Sequence, residues 1–371
     1  MKKLLFSAVS LDIGGIETAL VTLLNYLAKQ KENGECKYEI TLVLEHKQGL
    51  FLDAIEKNIK IFEYTPSNNK FIVIRKMINM FKQLKFKIKY GNRFNFSASY
   101  ATYSNPGAFI ARNASKNSAL WCHMDYLEMF KNNETEVKKF FEEKNYKAFK
   151  HIVFVSEEGQ KSFVKLFPEQ KAKTVCVHNL IDYEKITSMA EEHVDDLTIK
   201  KSMTTFINIG RHDEKQKKLT RIIEATEQLK NNTHKPFRVI FIGDGVDTEK
   251  YKNLIKEKKL ENEIIMLGRK KNPYPYLKMA DCTVLTSDYE GYPVVFVESM
   301  ILNKPIITTK VSGTEAIIKE KYGIIVDKSI ESIAEKMQYF VENGFKLENG
   351  FNPQMYNEEI INKLKQLIEN V

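Results

Sequence analysis

No stretch of this 371-residue chain approaches the ~18 unbroken apolar residues of a membrane-spanning helix, which sets aside a helical integral membrane protein. Cysteine is scarce. Cys36, Cys122, Cys176 and Cys282 lie far apart and form no Cys-x-x-Cys pair, which argues against a zinc site or a disulfide framework and suits a reducing, cytosolic compartment. Met1-Lys-Lys and the apolar residues after it imitate a signal peptide. Asp12 and Gly14-Gly15 interrupt the run without a small-residue cleavage site, so it reads as a buried first strand. Internal repeats and low-complexity tracts are also absent. The last absence is of charge of one sign. Residues 64–124 contain no Asp or Glu, while Lys70, Arg75, Lys76, Lys82, Lys85, Lys87, Lys89, Arg93, Arg112 and Lys116 fall within these 61 positions. Without those ten the formal charge of +9 becomes −1, so the basic character is one patch rather than a general field.

At roughly 150 residues per domain the length accommodates two domains, each able to bury a core. Short apolar runs rich in β-branched residues alternate with longer stretches of helical period, the pattern of parallel sheets flanked by helices. Strands are expected at residues 4–9, 40–44, 151–155, 205–209, 238–242, 264–267, 282–286 and 305–309. Ile16, Ala19, Leu20, Leu23, Leu24 and Leu27 form one apolar helical stripe, and Leu219, Ile222, Ile223 and Leu229 form another. The fold class is therefore α/β. A first domain is expected over residues 1–182, a polar hinge over 183–204 and a second domain over 205–352. Gly344, Gly350 and Pro353 then break the pattern before a helix over 353–371, whose Ile360, Ile361, Leu364, Leu367 and Ile368 need a surface to pack on.

Phe241-Ile-Gly-Asp-Gly245 follows a strand, but Thr248 stands where a dinucleotide-binding Gly-x-Gly-x-x-Gly has its third glycine. Asp247 would also face the phosphates, so a tight turn accounts better for these glycines. More informative is Thr286-Ser-Asp-Tyr-Glu-Gly-Tyr-Pro-Val-Val-Phe-Val-Glu-Ser-Met300, where Glu290 and Glu298 bracket seven residues. With 36 glutamates in the chain, about three or four such pairs arise by chance, so the spacing decides nothing by itself. The surrounding order does: a strand ends, a loop offers a carboxylate and Gly291, and Pro293 takes the first helical position. Backbone N–H groups at such a helix start suit a diphosphate. Glu290 could accept hydrogen bonds from sugar hydroxyls and Glu298 from a ribose, the alternative being two solvated glutamates.

Asn208-Ile-Gly-Arg-His-Asp-Glu-Lys-Gln-Lys-Lys218 also joins a strand to a helix, where Arg211 and a lysine could clamp phosphate oxygens or simply face water. In the first half, Asp12-Ile-Gly-Gly-Ile16 either admits a ligand close to Gly14 and Gly15 or is only a helix start. Trp121-Cys-His-Met-Asp-Tyr126 puts His123 after a short apolar run, at a sheet edge where ligands bind α/β folds, or makes it a structural histidine.

Taken in order, Gly14-Gly15, His123, Gly210-Arg211 with a following lysine, and Glu290-Gly-Tyr-Pro with Glu298 resemble the retaining glycosyltransferases of family 4 over most of the chain. Gly268-Arg-Lys-Lys-Asn-Pro-Tyr274, Ala280-Asp281 and Asn303-Lys-Pro305 are similar to stretches flanking the donor site in bacterial capsule and exopolysaccharide enzymes of that group. The resemblance implies a GT-B architecture of two Rossmann-like domains facing across a cleft, with the last helix packing back on the N-terminal one. It assigns a nucleotide-sugar to the C-terminal domain and an acceptor to the N-terminal one. It further implies that Arg211 and Lys217 neutralise the donor diphosphate, Glu298 holds the ribose and Glu290 binds the donor sugar. His123 would lie near the reacting sugar, making His123 and Glu290 the catalytic residues. Gly14, Gly15, Arg269, Gly291, Tyr292, Pro293 and Val294 complete the implied donor-binding set. The family's arginine-to-lysine spacing is one residue shorter than Arg211 to Lys217, which leaves Lys215 and Lys218 open for that role.

The resemblance also implies retention of anomeric configuration, the leaving phosphate assisting deprotonation of the acceptor, with no protein nucleophile. Asp-x-Asp, the usual metal holder of the other large glycosyltransferase architecture, does not occur, and neither metal nor cofactor is expected. The expected activity is hexosyl transfer from a nucleotide-sugar, UDP foremost, to a glycan or lipid-linked acceptor in bacterial cell-surface polysaccharide biosynthesis. The alternative is a catalytically silent scaffold of a polysaccharide-assembly complex, against which the intact Arg211, Glu290 and Glu298 argue. Nucleic acid is not an expected partner, since no recognised nucleic-acid module appears. Within the acid-free patch, Phe71, Ile74, Met77, Ile78, Phe81, Leu84 and Ile88 follow helical spacing beside Arg75, Lys76, Lys82, Lys85 and Lys89. Residues 70–93 read either as a face that meets an anionic membrane from the cytoplasm or as a core-packed helix with a solvated basic side.

Overall fold

Leu4, Leu5 and Phe6 are all fully buried on one strand, as an interior strand of a parallel sheet covered on both faces requires. This strand, β1 (Lys2–Ala8), belongs to a computed structural model that describes every residue except 13, 199–201, 315–321, 348–349 and 370–371. The chain divides into two compact units, Met1–Ile181 with Tyr356–Val371, and Asp182–Met355.

In the first unit α1 (Gly15–Ala28) follows β1 and buries Leu20, Leu23, Leu24 and Leu27. A small ribbon, β2 (Lys31–Glu32) with β3 (Glu35–Cys36), leads to β4 (Tyr38–Leu44) and β5 (Lys60–Glu63). Then come α2 (Ile72–Tyr90), β6 (Phe96–Ser99), α3 (Asn105–Ala114), β7 (Ser118–Cys122), α4 (Tyr126–Met129), α5 (Glu134–Glu143), β8 (His151–Phe154), α6 (Glu157–Leu166) and β9 (Thr174–Cys176). The sheet order is β5-β4-β1-β6-β7-β8-β9, parallel throughout. Growth to both sides of β1 opens a switch point between β1 and β6, the place where doubly wound sheets bind ligands beyond their carboxyl ends. Strand β6 escapes a hydrophobicity reading because its buried side chains include serines. Ser97 donates to the Ala111 carbonyl at 2.7 Å, and Ser7 of β1 donates to that of Gly107 at 3.0 Å. The helix Pro353–Glu369 packs on this unit, burying Ile360, Leu364, Leu367 and Ile368. Tyr38 Oη donates to Glu369 Oε1 at 2.7 Å, and Asn117 Nδ2 donates to the Leu367 carbonyl at 3.0 Å.

The second unit opens on α7 (Tyr183–Met189) and continues through β10 (Thr204–Ile209), α8 (Leu219–Asn232), β11 (Phe237–Ile242), α9 (Thr248–Glu257) and β12 (Ile264–Gly268). It is completed by α10 (Tyr274–Met279), β13 (Cys282–Leu285), α11 (Val294–Ile301), β14 (Ile306–Thr309), β15 (Gly323–Val326) and the helix Ile330–Asn343, which ends at Gly344 with φ of 68°. The order β12-β11-β10-β13-β14-β15, again parallel, puts its switch point between β10 and β13.

All eight expected strands are present, with ends shifted by at most two residues. In the stretch expected as a hinge, α7 packs against α10 and α11, and Leu197 is buried with Ile207, Ile240 and Leu277, all within the second unit. The polar composition of residues 183–204 concealed two anchors, Ile186 and Leu197, too widely spaced to form a stripe. In the expected helix of residues 70–93, core packing is confined to one side, where Phe86 is the one buried residue of α2 and Tyr90 packs beside it.

The glycines of 241–245 have a packing cause. Gly243 has φ of +146°, and a Cβ there would stand 1.8 Å from the Gly210 carbonyl oxygen; one on Gly245 would stand 2.3 Å from that of His212. They let the loop after β11 lie against the loop after β10, in agreement with the tight-turn reading. Gly243→Ala should therefore destabilise the protein by about 3 kcal/mol or more in urea unfolding. Gly344→Ala, where nothing lies within 4 Å, should cost only the strain of its positive φ, about 1–3 kcal/mol. Equal losses would contradict the close-approach argument.

Candidate functional site

At the carboxyl edge of the second sheet, the loops that leave β10 and β13 are tied to each other. Asp288 N donates to the Gln216 carbonyl at 2.8 Å, and Thr286 Oγ1 to the Lys218 carbonyl at 2.9 Å. Arg221 of α8 reinforces this with an ion pair to Asp288 at 2.7 Å and a hydrogen bond to the Thr286 carbonyl at 2.9 Å. Held in this way, Lys217 Nζ donates to Glu290 Oε1 at 2.6 Å, and Ser287 Oγ donates to the same oxygen at 2.6 Å. Gln216 Nε2 reaches Glu290 Oε2 at 3.4 Å, while Gln216 Oε1 accepts from Arg211 Nη2 at 3.0 Å. Arg211, Gln216, Glu290 and Lys217 are thus one connected chain of polar groups.

Glu290 is buried, and three donors, one of them a cation, replace the water its carboxylate oxygens lose. The Arg211 guanidinium, by contrast, is 63% exposed, with Asp213 at 3.4 Å. Of the three candidate lysines, Lys217 is the one brought to Glu290. Lys218, at φ of 54°, lies 3.7 Å from Asp288, and Lys215 is exposed.

Glu298 lies on α11, buried, and accepts from Tyr274 Oη at 2.9 Å. Burial pushes its carboxyl up to about 7, against the pull of that hydrogen bond. Tyr274 belongs to a stretch fixed by Asn272, whose Nδ2 donates to the Met189 carbonyl at 2.8 Å and whose Oδ1 accepts from Tyr274 N at 3.1 Å. Tyr292 and Gly291 are buried in the loop before α11, and Arg269 is exposed after β12. Pro293 is a correction: it is the residue before α11, with φ of −65° and an extended ψ of 104°, and Val294 is the first helical residue. Proline's fixed φ suits either position, so sequence alone misplaced the boundary by one residue.

In the first unit, Gly14 precedes α1 with an extended φ of −172°, and a Cβ on Gly15 would meet nothing within 4 Å. Packing thus gives no reason for glycine at position 15. His123 follows β7, buried, its ring 4.6 Å from that of Tyr100. Burial holds its pKa down to about 3, so the imidazole is neutral, and Nε2 has no hydrogen-bond partner among the described residues. Elsewhere in this unit Glu157, Cys176 and His178 place possible ligand atoms within 4.8 Å of one another. They already pair internally, His178 Nε2 with Glu157 at 3.0 Å, and the positive charge of Lys363 acts on both Glu157 and Cys176, which disfavours a cation.

Residues 189–358, which include the whole Arg211 to Glu290 chain and Glu298, match the family Glycosyl transferases group 1. This segment is a group 1 glycosyltransferase domain. It is similar to an uncharacterized glycosyltransferase of Methanocaldococcus jannaschii, 32% identical over 166 residues, 44% of this chain. The match spans 40% of that relative's length. Similarity over a longer stretch, 26% identity covering 90% of this chain and 88% of the other, links it to a Campylobacter jejuni protein. That protein is named N-acetylgalactosamine-N,N'-diacetylbacillosaminyl-diphospho-undecaprenol 4-alpha-N-acetylgalactosaminyltransferase. Anabaena HepE, solved in complex with UDP and glucose, has a TM-score of 0.74 at 16% identity over 98% of this chain and 100% of that one, and the shared fold is GT-B.

Within the group 1 domain, sequence patterning gives no signal for Gln216, an amide among lysines that only its burial distinguishes. Tyr274 lies in a stretch noted for its resemblance, but its partner is 24 residues away, beyond any local pattern. Because the pKa of Glu298 is raised on folding, its ionisation opposes stability. The cost is absent below its ordinary 4.5 and is complete once pH exceeds about 7. Glu298→Gln should therefore flatten the decline in thermal stability between pH 5 and 8, by the equivalent of ~3 kcal/mol at most. Parallel wild-type and variant curves would contradict the burial of an ionisable Glu298.

Proposed function

We propose that this chain is a retaining, metal-independent glycosyltransferase that moves a hexose from a nucleotide-sugar, UDP foremost, to a glycan or lipid-linked acceptor in bacterial cell-surface polysaccharide biosynthesis. It would act in the cytoplasm or at the inner face of the membrane. The observation that carries the reading is the Arg211–Gln216–Glu290–Lys217 chain at the switch point of a group 1 glycosyltransferase domain. An arriving diphosphate meets a guanidinium and an ammonium whose loops are already fixed, so little reorganisation opposes charge stabilisation. An ammonium has three donors, so Lys217 can serve Glu290 and a phosphate oxygen together. Glu290 Oε2 accepts only a long bond, 3.4 Å from Gln216, and a donor-sugar hydroxyl can complete it. Glu298, ionised above about pH 7, accepts from ribose hydroxyls. In the first unit, the neutral His123 Nε2 lacks a partner among the described residues and a Cβ at Gly15 would meet nothing within 4 Å, features that would suit the sugar and phosphate roles implied by the family resemblance.

In the transfer, the bond between the anomeric carbon and the diphosphate oxygen breaks. The acceptor oxygen bonds to the same face, and its proton passes to the leaving phosphate oxygen. No side chain becomes covalently attached; orientation and charge stabilisation each contribute several kcal/mol, on the order found for such effects. The activity in the name of the C. jejuni relative supports a lipid-diphosphate-linked acceptor, and the HepE complex supports UDP as the donor's nucleotide.

A panel of UDP-, GDP-, ADP- and CMP-sugars, followed by mass spectrometry, should reveal slow hydrolysis or transfer with a UDP-sugar. Glu290→Gln, which keeps the side-chain shape, should lower that turnover about 100-fold with the fold retained. Unchanged turnover would remove Glu290 from the donor site, and no reaction or binding with any donor would overturn the proposed activity.

A further inference from the structure

We infer that α2 is a membrane-binding element whose outer face lies in the headgroup region of an anionic lipid bilayer. On an ordinary surface helix the apolar stripe faces the core. Here it faces outward. At about 100° per residue, Val73, Leu84, Met77, Ile88, Phe81 and Ile74 fall in one arc of about 100°. Every one of them is exposed, from 44% at Ile74 to 70% at Val73. The opposite side holds the helix to its unit. Phe86 packs with Tyr64, Tyr90 and Phe109, and Asn79 Oδ1 accepts from Ser67 N at 2.7 Å.

Charge identifies what covers the outward face. Lys76 and Lys87 border the arc on one side and Lys85 and Lys89 on the other, where their stems can lie along the apolar boundary while the ammonium groups reach phosphates. No acidic residue occurs between positions 64 and 124 to repel an anionic surface. A second copy of the chain would set this face, with its six cations on α2, against six more, so the same charges oppose a dimer. A nucleic acid would meet the lysines but give six clustered apolar side chains nothing to bury against. None of the helices among the described residues is long and apolar enough to cross a membrane, so α2 lies along the surface rather than through it. The inference concerns only the first unit and stands apart from the donor-site reading.

The test is co-sedimentation of the full chain with vesicles of phosphatidylcholine alone or with one-third phosphatidylglycerol. Binding should favour the anionic vesicles at least ~10-fold and weaken as salt is raised. The combined Lys76→Glu, Lys85→Glu and Lys89→Glu variant should lose it, and so should Phe81→Ser with Leu84→Ser. Both variants should keep wild-type melting curves and the wild-type rate of donor hydrolysis in vesicle-free solution, which separates failure of this inference from failure of the proposed activity. Absence of binding, equal binding to both vesicle types, retained binding by the folded charge-reversal variant, or a dimer abolished by the serine substitutions would each overturn it.

Discussion

The second unit depends on closing a gap that its own topology creates. A parallel sheet that grows to both sides of its first strand sends the loops after β10 and β13 away side by side with no intervening strand. An apolar plug would close that gap. Instead the chain sets the Lys217–Glu290 ion pair there, at 2.6 Å and largely out of water. Such a pair is costly to desolvate and persists only when its geometry is enforced; removing one partner alone typically costs 3–5 kcal/mol, on the order of half a domain's stability. Enforcement comes from Ser287, Gln216 and the Arg221–Asp288 bridge, so the contacts that fix the loops are also those that hold cationic groups at the sheet edge.

Both sheets use neutral hydroxyls to handle buried polarity. In the first, Ser7 and Ser97 bond to carbonyls of α3, letting the helix sit close to β1 and β6. In the second, Thr283 Oγ1 and Ser299 Oγ lie 2.8 Å apart and Thr309 Oγ1 donates to the Ser287 carbonyl at 2.7 Å, and charges and amides are added at the loop level. His123 is one of several exceptions in the first unit, with Trp121 Nε1 and Ser99 Oγ among the others: its buried Nε2 stands at a strand's carboxyl end without a partner among the described residues. Such a group is tolerable where a ligand can complete it.

Parallel strands rich in Ile, Val and Leu were legible because burial on both faces writes a continuous apolar run. Strands β5, β6, β9 and β15 were not: β6 relies on serine, β9 is three residues long, and β5 and β15 are edge strands of four residues. No single motif was enough to propose a donor site; the ordered set of Gly14-Gly15, His123, Gly210-Arg211, Glu290 and Glu298 suggested one through its family resemblance. Sequence could not choose among Lys215, Lys217 and Lys218, because the choice rests on a contact 73 residues away and on a positive φ at Lys218 that turns its side chain toward Asp288. Nor could it decide whether the apolar stripe of residues 70–93 faces inward. Spacing shows that a face exists, and only packing shows which way it points.

The central claim is that the polar chain at the second switch point holds a nucleoside diphosphate. It is tested most directly by calorimetric titration of UDP into wild type and Arg211→Ala, with a chelator present throughout. Arg211 is exposed enough for its loss to spare the fold. The account predicts measurable binding by wild type without metal and a loss of at least ~10-fold in affinity for the variant. Equal affinities, or binding that requires a divalent metal, would contradict it.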